Sequence, residues 1–240
     1  MGNTFYISLA GLTVQMNAKH PFTKDFCKDY LIAPKQADIV ATANVCQIAA
    51  DMKASGAKED YAESLSLYRS IAEQLPDFSR FVIHGASITF DNKGIIFIAP
   101  SGTGKSTHIK LWRKVYKSRV DIINGDKPII DLSGDTPKIW SSPYAGKENW
   151  QKNTCAPLCA VVLLRRAKVD SIQKAQPAKY LSEVISQIYK PQKGGGFAKT
   201  VAAADRMFER VPFYILECTP TENAVAVARE GLFPTQEENK

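Results

Sequence analysis

Ile95-Ile96-Phe97-Ile98-Ala99-Pro100-Ser101-Gly102-Thr103-Gly104-Lys105-Ser106-Thr107-His108 joins an apolar run to a glycine-containing turn, and Lys-Ser-Thr then opens an amphipathic pattern. Glycines let the backbone bend so that several N–H groups point into one hollow. The helix that follows directs its positive end at the same point. Strand, turn, Lys-Ser and helix in this order are the context that a polyphosphate-binding P-loop requires. Ser101, Gly102, Thr103, Gly104, Lys105, Ser106 and Thr107 would then surround the phosphates. Lys105 would reach the outer ones and the Ser106 hydroxyl would hold Mg²⁺. Counting back from Gly104, Ala99 stands where the pattern places its first glycine. The competing reading is a glycine-rich surface turn in front of a helix.

The 240 residues around this stretch suit one domain, or one with a small extension. Hydrophobic residues make up 45% and charged ones 23%, the balance of a globular protein in water. No apolar run approaches the roughly 20 residues that span a membrane, so no membrane partner is expected. The N-terminus lacks a basic, then apolar, leader, and Tyr6 stands where a myristoylation signal needs Ser or Thr. Five cysteines without C-x-x-C spacing argue against a disulfide framework or a zinc site and for reduced, mostly buried thiols in the cytoplasm. The net charge of +7 fits an anionic ligand. The lysines are dispersed and accompany no nucleic-acid-binding motif, so nucleic acid is not an expected partner. A homo-oligomer is compatible with the sequence.

Alternating apolar residues predict strand material over Thr4 to Met16, and residues 17–38 read as irregular. Asp51 to Asp60 reads as an exposed loop. Tyr61, Leu65, Tyr68, Ala72 and Leu75 mark one face of a helix stopped by Pro76. Arg80 to Phe90 reads as a strand, turned at Asp91-Asn92-Lys93-Gly94 into the strand that feeds the glycine loop. A helix over Gly104 to Lys117 and a strand over Val120 to Ile123 follow. Strands are then expected at Pro128–Leu132, Lys138–Trp140, Ala160–Leu164 and Pro212–Glu217. Helices are expected around Leu181–Ile188, Val201–Phe208 and Glu222–Arg229, with frayed residues 236–240. The hairpin before the loop strand predicts α/β architecture with the P-loop in a mixed, β-rich sheet flanked by helices. Residues 1–79 would form a strand-and-helix region packed on a core of residues 80–240.

Three further segments are candidates for chemistry. His84-Gly85 lies where a hairpin would bring it near the loop. It is either a phosphoryl-handling histidine or one satisfied in the core. Asn124-Gly125-Asp126-Lys127-Pro128 follows a strand, where Asp126 could bind Mg²⁺ or simply shape a turn. Ser141 to Trp150 could bring Lys147 and Glu148 to a substrate, or be a surface loop. Lys190 to Lys199, with three glycines, reads as a linker or a lid.

The segment from Arg80 to Pro128 resembles the kinase core of HPr kinase/phosphorylase and the ATP-dependent phosphoenolpyruvate carboxykinases. The residues carrying the likeness are His84-Gly85, Ser101-Gly102-Thr103-Gly104-Lys105-Ser106 and Asn124-Gly125-Asp126. The chain looks closer to a branch of small bacterial HPr-kinase-like proteins, with an Asp-Lys-Pro turn and a loop like Gly146-Lys147-Glu148. The resemblance implies ATP and Mg²⁺ as cofactors, Ser106 and Asp126 as metal ligands, and His84, Lys105 and Asp126 as catalytic residues. It implies phosphorylation of a hydroxyl, serine first, on a peptide, protein or small molecule. HPr kinase has two adjacent aspartates where this chain has Gly125-Asp126. The base therefore falls to Asp126, His84 or Glu148, and the alternative is a nucleotide-binding regulatory module without catalysis. A carboxykinase would need a far longer chain.

Overall fold

The apolar run from Ile95 to Ala99 is wholly buried. Its strand lies inside a nine-stranded mixed sheet whose two faces are both covered, which is why the sequence there is continuously apolar rather than alternating. Each such side chain stabilises the fold by about 1.5–3 kcal/mol relative to exposure.

The computed structural model describes residues 3–234. The first elements are β1 (Asn3–Leu9), β2 (Leu12–Ala18), α1 (Phe22–Phe26), β3 (Leu31–Ile32), β4 (Ile39–Thr42), α2 (Val45–Ser55) and α3 (Glu59–Gln74). There follow β5 (Arg80–Val82), β6 (Gly85–Phe90), β7 (Lys93–Ile98), α4 (Lys105–Tyr116), β8 (Val120–Asn124), β9 (Ile129–Asp131) and β10 (Lys138–Trp140). The chain closes with β11 (Cys155–Arg166), β12 (Ser171–Lys174), α5 (Leu181–Gln187), α6 (Gly196–Arg210), β13 (Phe213–Cys218) and α7 (Glu222–Leu232). Among the described residues no helix is long and apolar enough to cross a membrane.

The first four strands form one sheet in the order β3-β1-β2-β4. Their alternating residues Ile7, Leu9, Val14 and Met16 share a core with Leu67, Ile71 and Leu75, with Val82 and Ile129 from the second sheet, and with Tyr144 from the segment after β10. The second sheet runs β5-β9-β10-β11-β7-β6-β8, with β13 beside the end of β11 and β12 beyond it. Only β11–β7 and β11–β13 are parallel there. Asp91 and Asn92 both have positive φ, as a two-residue type I′ hairpin requires, so β6 returns as β7 with Gly85 opposite Ile98. Along β7 the side chains alternate between two cores. Ile96 and Ile98 meet Ala203 and Met207 of α6, whereas Ile95 and Phe97 meet Ile109 and Trp112 of α4 and Val225 of α7.

Several expectations are corrected. Arg80 to Phe90 is two strands, not one. The chain breaks at Ile83-His84, where Ile83 N–H donates to Pro128 O (3.2 Å) and His84 N–H to Gln187 O (2.7 Å). Residues 17–38 contain α1 and β3. Asp51 to Ser55 is helix, not loop: α2 is capped by Asn44, whose side chain accepts from Gln47 N–H, and ends at the left-handed Gly56. The face of α3 is wider than expected: Tyr68, Ala72 and Leu75 are buried, Leu67 and Ile71 are buried beside them, and of the expected face only Tyr61 is exposed, because α3 packs on both the first sheet and the segment after β10. The Lys190–Lys199 stretch is not all linker, since Gly196 to Lys199 already belong to α6. Of the cysteines only Cys27 and Cys218 are buried; Cys46 is exposed, and none forms a disulfide. Residues 236–240 lie outside the described residues.

Candidate functional site

The glycine loop leaves the end of β7. Gly102 (φ 79°) and Gly104 (φ 120°) hold conformations that side-chain-bearing residues resist. Nothing crowds either position, so backbone geometry alone asks for glycine. Ala99 has no positive φ and is fully buried; alanine fits there without strain. The loop's carbonyls are engaged from behind. Lys105 Nζ donates to Ala99 O (2.7 Å), the Thr103 hydroxyl to Pro100 O (2.9 Å), and Arg166 to Thr103 O and Gly102 O (3.0 and 2.5 Å). The first helical bond of α4 is His108 N–H to Gly104 O. No side chain caps this helix, and the N–H groups of its first turn are left to whatever lies in front.

What lies in front is a hollow of about 480 Å³. The loop and the start of α4 supply Ser101, Gly102, Gly104, Lys105, Ser106 and Thr107. The turn after β8 supplies Gly125 and Asp126, the strand break supplies His84, and Gly146, Lys147 and Glu148 form the lip. Of the residues named from sequence, Thr103 faces two neighbouring cavities instead.

Asp126 is placed by a side chain that sequence reasoning did not single out. Asn124 Oδ1 accepts from the backbone N–H of Asp126 (2.8 Å) and of Lys127 (2.7 Å), while its amide donates to Ser142 O (2.9 Å). The Asp126 carboxylate meets His84 Nε2 (3.3 Å) and Lys127 Nζ. Burial alone would raise its pKa; the hydrogen bond from His84 and the charge of Lys127 outweigh that and bring it down to about 2. His84 Nδ1 faces Gln187 Oε1 at 3.0 Å, so the ring is fixed by neighbours while it walls the hollow. Burial lowers the pKa of Lys105, with Asp126 acting in the opposite sense.

The missing second acid has a steric reason. A Cβ on Gly125 would lie 2.7 Å from Ala145 O, and Gly125 N–H is already spent on Trp150 O (2.9 Å). No side chain fits there unless the Ser141–Trp150 segment moves. That segment is not the surface loop of the competing reading: Ser141 to Ala145 are buried, and only Gly146 to Asn149 are exposed. Tyr144 stacks on Tyr68 (4.0 Å) and donates to Ser64 O (2.6 Å).

On the far side of His84 a second cleft, about 230 Å³, is lined by Tyr68 and Ala72 of α3, Lys127, and Ile188 and Tyr189 after α5. Among the described residues no three His, Cys, Asp or Glu side chains converge on a metal position. The Asp126 carboxylate and the Ser106 hydroxyl, which line the same hollow, are the donor types that suit Mg²⁺, which takes one or two protein ligands and completes its shell with phosphate oxygens and water.

No protein-family model matches the chain, and no curated protein matches it. Among solved structures, the Hpr(Ser) kinase/phosphatase from Coxiella burnetii superimposes over 62% of this chain and 95% of its own, with 10% identity and a TM-score of 0.35. That degree of likeness is too low to place the chain in a family or to transfer an activity.

Proposed function

We propose that this chain is an ATP- and Mg²⁺-dependent phosphotransferase acting on a hydroxyl, serine first, of a peptide, protein or small molecule. The observation that carries the reading is the single hollow. It gathers an uncapped helix N-terminus, two left-handed glycines, Lys105, Ser106, Asp126 and His84 from three separate segments. Phosphoryl transfer asks little covalent chemistry of a protein and much positioning and charge neutralisation. Loop and first-turn N–H groups hold the β- and γ-phosphates, and Lys105 turns from its own loop carbonyl onto them. Ser106 and Asp126 would hold Mg²⁺, which supplies charge neutralisation at the β- and γ-phosphates when bound. The acceptor enters from the cleft beyond His84. Its oxygen forms the new bond to the γ-phosphorus as the bond to the bridging oxygen breaks, and its proton passes to Asp126 or Glu148; His84, whose two ring nitrogens both face oxygens, holds Asp126 in place.

Lys105→Ala is expected to fold and to lose transfer by more than about a thousandfold, assayed with γ-labelled ATP against serine peptides and small alcohols. A folded variant that still transfers would refute the reading. The blocked position at Gly125, which leaves one acid in the turn, favours a second reading: a nucleotide-binding regulatory module. Tight ATP binding with no labelled product from any acceptor would select it.

A further inference from the structure

Behind the N-terminus of α4 lies another cavity, about 350 Å³, that shares Gly104 and Thr107 with the phosphate hollow. Leu111, Leu164 and Pro220 give it apolar walls, and its volume falls within the range of small-molecule sites. His108 lines it while only 3% exposed. Trp112 Nε1 donates to His108 Nε2 at 2.9 Å. An indole N–H can only donate, so Nε2 is an acceptor and the ring proton sits on Nδ1. Among the described residues nothing accepts from Nδ1. Burial keeps the ring neutral by moving its pKa down to about 4, against the opposing charge of Asp170. Asp170 itself is occupied by Thr219 and Asn223. Arg166, held by the loop carbonyls of Thr103 and Gly102, lines the same cavity, and a guanidinium plane stacks well on heteroaromatic rings.

We propose that this cavity receives the purine ring of the nucleotide, with a ring nitrogen accepting a hydrogen bond from His108 Nδ1–H. The inference rests on the phosphate-binding reading of the loop. A polyphosphate lying across the α4 N-terminus, with its outer phosphate toward Asp126, has its other end at Gly104 and Thr107. The base then meets apolar walls and one fixed donor. A two-ring base with acceptor nitrogens matches that lining, and a smaller pyrimidine fills it less.

Binding of ATP, CTP and inorganic tripolyphosphate, each with Mg²⁺, tests this by calorimetry. ATP is expected to bind at least about tenfold tighter than tripolyphosphate, with CTP between them. His108→Phe should weaken ATP by about fivefold to tenfold and leave tripolyphosphate unchanged. If that variant does not fold, Leu111→Trp, which fills the cavity from the helix surface, should do the same. ATP, but not tripolyphosphate, should also shift the His108 Nδ1–H resonance in NMR spectra of the wild-type protein. Equal affinity for ATP and tripolyphosphate, or an unmoved resonance with ATP bound, overturns the proposal, and CTP binding as tightly as ATP overturns the purine assignment. Tripolyphosphate binding without a base effect sinks only this inference. Failure of all three ligands sinks the phosphate reading as well.

Discussion

Residues 85–116 and residues 141–150 both reach the hollow in front of α4, and they do so by opposite means. The first block is contiguous and locally determined: strand, two-residue turn, strand, glycine loop and helix follow one another, and each hydrogen-bonds to its sequence neighbour. The second has almost no regular structure. Its first half is held by distant partners, Ser64, Tyr68 and Asn124, and only its second half faces the site. Local pattern can thus build the glycine-loop cradle, but the wall opposite it depends on where the two sheets meet.

The sharpest break in this comparison is at Gly125, where the two regions touch. Gly125→Ala drives a Cβ against Ala145 O and is expected to cost about 3 kcal/mol in urea unfolding. A cost near zero would mean that the 141–150 wall yields easily and that the second acid is absent for another reason. Within the contiguous block, His108 gives a pH signature. Its folded pKa of about 4 lies below its ordinary value of 6.5. The unfolded chain therefore binds the extra proton first, and stability is full above pH 6.5 and falls as the pH drops toward 4. The loss amounts to about 3 kcal/mol. Comparing the pH slope of unfolding in wild type and His108→Phe checks it: the slope should flatten in the variant, and an unchanged slope means that the ring is not held neutral.

The smallest effect separates the two halves of the 141–150 segment. Tyr144→Phe removes the bond to Ser64 O and should cost about 1 kcal/mol of stability, with nucleotide affinity unchanged within about twofold. Weakened nucleotide binding at unchanged stability would show that the buried half also serves the site.

Most of the central block is legible from the chain. Ile95 to Ala99 announces a strand buried on both faces, Asp91-Asn92 a tight turn, and Gly102 and Gly104 a loop with left-handed positions. These are short-range constraints, decided by backbone sterics and apolar patterning. The break at Ile83-His84 was not legible, because its backbone partners Pro128 and Gln187 lie far along the chain. Arg166 was passed over for the same reason. Asn124 stood inside a quoted motif, but its hold on the N–H groups two and three residues on was not drawn from it. The α3 face was read too narrow because two surfaces cover the helix, and periodicity reports only one.

The residues alone settle the cradle: a glycine loop between a buried strand and an uncapped helix follows from steric freedom and helix polarity over a dozen positions. What closes that cradle is another matter. The approach of Asp126 to His84, the blocked position at 125 and the shared wall with the first sheet arise only when remote segments pack. Their positions depend on exclusion of overlapping atoms and on which buried polar groups find partners, neither of which a linear chain displays.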